Sequence, residues 1–335
     1  METLKKLKSI EDIAILAGVS KSTVSRALND SPLVNPETRE RILAIAQEHD
    51  FKPSFCARNL SMKTSQTIAF VNHAYGKGEC GVSDPFGIEI MGGIAIGLHE
   101  LGYGLLVVHV DPADKAWPSY YLDSGRVDGF ILMTSEKKRD HVELLKGIHA
   151  PFIAWGHGGD EYCSVCCDDK KGGRLATERL ISIGRRHIAF LGGYRIEAEV
   201  KKRHEGYSGA MRDAGMDPRA LVAYGDYCEA CAEGEIEKLL EREPKMDAVF
   251  ANSDYMAIAA IRRLAALGRR VPDDVAVVGY DDLSIASYVT PGLTTISQHV
   301  PLAGRMLARD LVAYLEKRVI SHNELPVELI LRDSA

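Results

Sequence analysis

Two stretches of this chain carry side chains whose types and spacing could do chemistry. The first is "SKSTVSRALN", residues 20–29. Ser20, Ser22, Thr23 and Ser25 are short hydroxyls, and Lys21, Arg26 and Asn29 stand among them. Short side chains let a helix sit deep in a major groove, where an arginine can donate twice to guanine O6 and N7. The second group is spread along the chain and falls where apolar runs end. Asn72 and His73 follow "IAFV", Trp155 to His157 follow "PFIA", Ser253 and Asp254 follow "VFAN", and Asp281 follows "VVGY". Arg203 and Tyr227 are expected on loops that follow other runs, and Gln298 closes "TTISQ". A polyol needs paired hydrogen-bonding groups for neighbouring hydroxyls, which Asp281 and Arg203 suit because charged groups make the stronger bonds. It also needs a ring for its C–H face, which Phe86, Trp155 or Tyr227 could supply. Taken singly, each of these residues has a plain alternative as a strand-end cap or loop hydrogen bonder, and Asp254 also suits capping the run "YMAIAA".

Other chemistry finds less support. Cys163/Cys166 and Cys228/Cys231 have metal-like spacing. However, "CSVCC" reads as extended, which sends Cys163 and Cys166 to opposite faces. "CEAC" reads as the start of a helix, where i and i+3 can converge. Seven cysteines in a reducing compartment are expected as free thiols. "AFLGGYR" lacks the dinucleotide spacing, and neither a phosphate-loop G-x-x-x-x-G-K-[ST] nor a G-x-S-x-G turn is present. No catalytic residue, metal or cofactor is expected, and an enzyme with a helical appendage is the weaker alternative.

The elements that must position the first group are legible. Ser9 with Asp12 three residues on forms a helix-start signal before "IEDIAILA". Ile10, Ile13, Ala14 and Ala17 share one face, and Gly18 ends the helix in the left-handed conformation. Ser20 caps a second helix, "KSTVSRAL", whose Val24 and Leu28, with Val19 before it, face the first. Lys21, Ser22, Thr23, Ser25 and Arg26 then face outward. Asn35 and Pro36 start a third helix with Ile42, Leu43, Ile45 and Ala46 as its buried stripe, which Pro53 is expected to stop. "SFCARNLSM" could make about two helical turns, too short to hold alone in water. On DNA it could fold and press Leu60 between base steps in the minor groove, beside Arg58.

From residue 67 apolar strands alternate with helices, among them "TIAFVNH", "YGLLVVHV", "VDGFILM", "HIAFLGG", "DAVFAN" and "DVAVVGYDD". Such uniformly apolar strands are buried on both faces, which predicts parallel sheets covered by helices. The length exceeds one sheet and suggests two Rossmann-like lobes with a cleft, whose ligand would sit at the strands' carboxyl ends.

Composition agrees with this division. Residues 1–66 hold ten Lys/Arg and eight Asp/Glu, a net of +2. The whole chain has 41 and 47, which leaves 31 and 39, a net of −8, for the rest. A mildly basic head on an acidic body suits a nucleic-acid reader joined to something else. The first residues, "METLKKLKSIEDIA", lack the apolar stretch of an export signal, so a cytoplasmic location is expected. That expectation disfavours a transport-associated binding protein.

Residues 10–71, from "IEDIAILAGVSKSTVSRALN" through "KPSFCARNLSMKTSQTIAFV", resemble the head, hinge and first strand of the LacI/GalR family of bacterial transcription regulators. "RLISIGRRHIAFLGG", "RHEGY", "ANSDYMAIAAIRRLAALGRRVPDDVAVVGYDD" and "PGLTTISQHVPLAGRMLARDLV" resemble its effector domain, whose fold is similar to the periplasmic sugar-binding proteins. The resemblance implies a head over residues 1–53, a hinge over 54–65 and an effector core over 66–335, with chain crossings near 167, 299 and 327. Lobe 1 would then be about 66–166 plus 300–326, and lobe 2 about 167–299 plus 327–335. It implies DNA contacts from the 20–29 group and from Ser54, Ala57, Arg58 and Leu60. For the effector it implies Arg203 of Arg-x-x-Gly-aromatic, Asp281 of Gly-aromatic-Asp, the Ser253–Asp254 pair, Phe86 after Asp-Pro, and Tyr227. Gly156 and His157 stand where members often carry an acid or arginine. The implied function is a ligand-responsive repressor of carbohydrate-use genes that binds a pseudo-palindromic operator as a homodimer, with a sugar or a purine as effector. With no heptad pattern in "LPVELILRDSA", a dimer and not a tetramer is expected.

Overall fold

The computed structural model describes residues 9–51, 64–73, 84–111, 113–133, 139–159, 161–225 and 227–335. The chain divides into two compact units, residues 1–65 and 66–335.

In the first unit, α1 (Ile10–Ala17), α2 (Lys21–Leu28) and α3 (Pro36–Glu48) pack around Ile13, Val24 and Ile42, all fully buried. The local signals act as their chemistry dictates. The Ser9 hydroxyl accepts from the Asp12 N–H while the Asp12 carboxylate accepts from the Ser9 N–H, a reciprocal cap on α1. Gly18 closes that helix at φ 62°, where any side chain would be strained. Ser20 caps α2, and Asn35 caps α3 by accepting from the Glu37 N–H. Two details depart from expectation. Leu43 is 45% exposed, because the inward row runs through Ile42 and Ala46, one turn apart, and Leu43 lies about 100° round from it. α3 also ends at Glu48, ahead of Pro53, where Asp50 turns left-handed (φ 46°) and the Phe51 N–H reaches back to the Ala46 carbonyl.

In the second unit, α4 (Pro85–Glu100), α5 (Trp117–Leu122), α6 (Arg139–Gly147), α7 (Asp169–Ser182), α8 (Ala198–Asp213), α9 (Glu229–Arg242), α10 (Asp254–Ala266) and α11 (Val300–Lys317) alternate with strands. One sheet holds β1 (Thr67–His73), β2 (Gly104–Val110), β3 (Gly129–Met133), β4 (Phe152–Trp155), β5 (Cys163–Cys167) and β11 (His322–Leu325), in the order β2-β1-β3-β4-β5-β11. The other holds β6 (Ile188–Gly192), β7 (Val222–Tyr224), β8 (Ala248–Ala251), β9 (Ala276–Asp281), β10 (Thr294–Ser297) and β12 (Glu328–Ile330), in the order β7-β6-β8-β9-β10-β12. The two sheets therefore repeat one doubly wound plan. Among the described residues every pairing is parallel except β10 with β12, an antiparallel edge made by the returning C-terminal segment. The strands are as dry as their sequences imply, with all of β6, β8 and β9 buried.

Glycines let one helix pair in each lobe approach to backbone contact. A Cβ on Gly93 would fall 2.3 Å from the Pro301 carbonyl oxygen, bringing α4 onto α11. A Cβ on Gly206 would fall 2.0 Å from the Lys170 oxygen, and one on Gly173 2.1 Å from the Arg203 oxygen, bringing α7 onto α8. The α7–α8 contact decides where Asp169 and Arg203 meet. We expect Gly206→Ala to cost about 1–3 kcal/mol in denaturant unfolding by pushing the two helices apart. Ala on Gly234, where the added Cβ would meet nothing, should cost far less.

Candidate functional site

On the head, α2 presents Lys21, Ser22 and Arg26 as exposed residues, with Thr23 and Ser25 half-buried and Asn29 exposed at its C-cap. The Ser20 hydroxyl binds the Ser22 and Thr23 hydroxyls at 2.8 and 2.9 Å besides capping the helix. Lys21 ion-pairs with Glu11 on α1. The surface thus combines ordered short hydroxyls near a helix N-terminus with the exposed Arg26 one turn on. Ser54, Ala57, Arg58 and Leu60 lie outside the described residues.

In the second unit, the carboxyl ends of β5, β8, β9 and β10 bring Asp169, Asn252, Asp281 and Gln298 into one network with Arg203. Arg203 is buried in the middle of α8, a helix and not the loop expected, where Gly173 lets α7 come to its backbone. Its Nε donates to Asp169 Oδ1 at 2.7 Å, one terminal nitrogen to the Asn252 carbonyl at 2.7 Å, and the other to Gln298 Oε1 at 3.5 Å. Its guanidinium lies 3.6 Å over the Tyr280 ring, and the Tyr280 hydroxyl donates to Asp169 at 3.3 Å. Burial alone would raise the Asp169 pKa, but the Arg203 charge and the hydrogen bonds from His157 and Arg203 hold it below the usual carboxylate range. His157 Nε2 donates to the other Asp169 oxygen at 2.8 Å, and Lys202 Nζ stands 3.0 Å from its Nδ1. His157 follows β4 of the first sheet, whereas α7 and its Asp169 pack on the second, so this pair joins the lobes across the cleft. Glu89 on α4, accepting from the Ser284 N–H at 2.7 Å, is a second link between them.

Asp281 ends β9 at φ 122°, and Asp282 follows at φ 57°. Held conformations of this kind cost about 1–3 kcal/mol each and cluster at ligand sites. The Asp281 carboxylate accepts from the Gln298 amide, while Gln298 Oε1 accepts from the Cys167 thiol at 2.9 Å. Burial, then the Asp254 charge, pushes the Asp281 pKa well above its ordinary value. Asp254 is fully buried and serves as a strut, since its oxygens accept from the Leu283 N–H at 2.7 Å and from the Thr295 hydroxyl. Ser253 caps α10 by accepting from the Met256 N–H. Burial, against the Thr295 and Leu283 hydrogen bonds, raises the Asp254 pKa to about 7. Between about pH 4 and that value the folded chain keeps a proton that the unfolded chain has lost. Stability should therefore fall as pH rises through this window. Asp254→Asn should flatten that fall in urea titrations at pH 5, 6, 7 and 8; an unchanged slope would assign it to another group.

Aromatic rings line the same region. Phe86 and Trp155 stand 5.8 Å apart at 43° on the first lobe. Tyr227 packs edge-on to Tyr194 at 5.7 Å, and its hydroxyl accepts from Asn252 Nδ2 at 2.8 Å. The Asn252 Oδ1 is buried without a hydrogen-bond partner. His73 ends β1, and its side chain lies outside the described residues. Sequence reading missed Asp169, Asn252, Tyr280, Cys167 and Lys202. Asp169 stands two residues past β5, so the strand-end rule that selected Asp281 could have found it.

The cysteines correct one expectation. Cys163 and Cys167 are buried free thiols and Cys166 a half-buried one, but Cys228 and Cys231 are joined as a disulfide at the start of α9. The helical start brings i and i+3 together, and that convergence is what joins them. Among the described residues no group of three or more His, Cys, Asp or Glu could hold a metal ion, and no helix is long and apolar enough to cross a membrane.

Comparison with known proteins places these features in context. Residues 9–54 match the family model for bacterial regulatory proteins of the lacI family, and residues 177–335 match a periplasmic binding protein-like domain. The chain is 35% identical to the HTH-type transcriptional regulator CelR of Thermobifida fusca, over 98% of this chain and 96% of that one. It is 31% identical to the HTH-type transcriptional repressor PurR of Aliivibrio fischeri (strain MJ11), over 98% of each. Among solved structures it resembles a CelR–cellobiose complex (TM-score 0.73, 33% identity, 98% and 100% of the two chains). It also resembles the lac repressor dimer bound to operator and an anti-inducer (TM-score 0.83, 25% identity, 98% and 99%).

Proposed function

The chain belongs to the lacI family of bacterial regulatory proteins, and from that premise we propose that it represses carbohydrate-use genes, its grip on operator DNA set by a sugar held between the two lobes. Two heads of a homodimer grip a pseudo-palindromic site, the twofold axis of the protein matching that of the DNA. Lys21, Ser22 and Arg26 read base edges, with Ser20, Thr23, Ser25 and Asn29 supporting them. Ser54, Ala57, Arg58 and Leu60 follow the minor groove, where Leu60 wedges the central step. In the core, Arg203, Asp281 and Gln298 bond the hydroxyls, and Phe86, Trp155 and Tyr227 cover the ring. His73 and His157 are further contacts to the ligand in this reading, and Ser253 and Asp254 hold the floor. Sugar binding resets the lobe angle and with it DNA affinity, a coupling of typically about 1–3 kcal/mol.

The observation that carries this reading is the dense, buried polar network at the strand ends, with an acceptor of Asn252 left unfilled. A site that bonds hydroxyls is built in this way, because a missing donor leaves buried groups unpaired. The CelR–cellobiose likeness supports a β-linked disaccharide in particular. A second reading, implied by the family resemblance, has a purine base in the cleft. A thermal-shift screen of cellobiose, lactose, glucose, guanine and hypoxanthine separates the two. At a hundredfold excess over Kd the right ligand adds about 2.7 kcal/mol, roughly 5–10 °C for a core of this size. Asp281→Ala should abolish the shift while operator binding in a gel assay persists. A shift with purines alone overturns the sugar reading.

A further inference from the structure

We propose that Cys228 and Cys231 form a reversible thiol–disulfide site at the edge of the cleft, which transmits the thiol redox state to Tyr227.

The sulfurs sit where exchange chemistry is favoured. Cys228 is the N-cap of the 14-residue helix α9, and its sulfur accepts from the Cys231 N–H at 3.1 Å. The positive end of a helix stabilises a thiolate, the form that attacks and leaves in exchange. The nearby acid Glu229 is ion-paired with Arg262, which also holds Glu233. Both sulfurs belong to half-buried residues, whereas Cys163 and Cys167 are 1% exposed. A small thiol or disulfide can therefore reach the first pair and not the second.

Tyr227 is the residue directly before the N-cap, and its backbone is held at φ 53°, a region most side chains avoid. Its ring lies so close to Gly193 that a Cβ there would fall 2.2 Å from the ring carbon bearing the hydroxyl. Its hydroxyl holds the Asn252 amide, and the Asn252 carbonyl holds Arg203. With the disulfide closed, the Cα atoms of Cys228 and Cys231 stay 5.3 Å apart and anchor one side of the Tyr227 backbone. Opening it releases that side.

The step balances with a low-molecular-weight thiol as co-reactant. One thiolate attacks a sulfur of the disulfide and gives a mixed disulfide. A second thiol then displaces the first, leaving two cysteine thiols and one small-molecule disulfide, with two electrons and two protons gained by the protein. The effect on ligand affinity rests on the effector reading of the cleft; the sulfur chemistry and its effect on Tyr227 do not.

The test equilibrates the full chain in glutathione buffers from fully reduced to fully oxidised, followed by maleimide labelling and peptide mass analysis. Cys228 and Cys231 should pass together from doubly labelled to unlabelled as the buffer is oxidised, with Cys163 and Cys167 unlabelled throughout. Hydrogen exchange over residues 192–195 and 222–225 should slow at least about threefold in the oxidised form. The C228S/C231S chain should keep the reduced rate in every buffer. With cellobiose as probe, the oxidised form should bind about threefold more tightly. Two labelled thiols in excess oxidised glutathione would overturn the proposal, and so would a disulfide that leaves both segments exchanging at the reduced rate. If neither form binds cellobiose, the sugar reading fails while the exchange data still decide the coupling.

Discussion

Arg203→Met should remove about 3–5 kcal/mol from the stability of residues 66–335, the range expected when one partner of a buried ion pair is lost. Three things leave with the guanidinium: the charge facing Asp169, the bond to the Asn252 carbonyl, and the contact over Tyr280. Asp169, 3% exposed, is then left with a half-buried His157 and no guanidinium. The pH dependence identifies the cause. In the parent chain the Asp169 pKa lies below its ordinary value, so it contributes stability above that ordinary value and loses it as pH falls through the folded one. In the variant the part supplied by Arg203 is gone, and the His157 bond is left to oppose the burial of Asp169. The gap between the two chains should be widest near neutral pH and narrow below about pH 4. Asp169→Asn in the same background should recover much of the loss, because a neutral amide needs no counter-charge. Urea unfolding of the four chains closes the cycle. Strict additivity of the two substitutions would mean that Asp169 and Arg203 do not stabilise one another.

The division between what the sequence revealed and what it hid follows sequence separation. Ser9 with Asp12, Gly18, Ser20 and Asn35 each act within four residues, so their roles are written locally, and all four hold in the structure. The strands β1–β4, β6, β8 and β9 were legible as apolar runs, and β5 as an extended stretch. β7, β10, β11 and β12 were not, since "VAY", "TTIS", "HNEL" and "ELI" are too short or too polar to carry a pattern, and the antiparallel partner of β12 lies some thirty residues upstream. Arg203 and Asp281 were singled out by motif, and the structure joins both to Gln298. What no local rule could show is that Asp169, 34 positions from Arg203, is the carboxylate it faces, or that Cys167 and Gln298 meet across 131 positions. These pairings exist because Gly173 and Gly206 let α7 and α8 touch, and because both sheets aim their strand ends at one cleft. Leu43 shows the opposite failure. Its apolar side chain matched the helix period closely enough to be counted inside, yet the tighter Ile42–Ala46 row fills the small core.

Arg26→Ala should weaken operator binding by about 2–6 kcal/mol, from about thirtyfold to about twenty-thousandfold, while leaving effector affinity unchanged. A bidentate arginine–guanine pair contributes about 1–3 kcal/mol of discrimination, and a homodimer on a twofold site loses one pair in each half. Arg26 is exposed on α2 away from the buried Val24 and Ala27, so its removal should not disturb the head's core, and its unfolding should stay within about 0.5 kcal/mol of the parent. Lys21→Ala makes the informative contrast. Lys21 also pairs with Glu11, so losing it trades an intramolecular contact against a DNA contact, and the net effect should be smaller. An operator selected from random duplexes, followed by titrations at several salt concentrations, distinguishes the roles. Loss of base readout lowers affinity for the selected site far more than for random DNA, whereas loss of a phosphate contact lowers both equally and flattens the salt dependence. Equal weakening on both duplexes by Arg26→Ala would move this arginine from the base edges to the backbone.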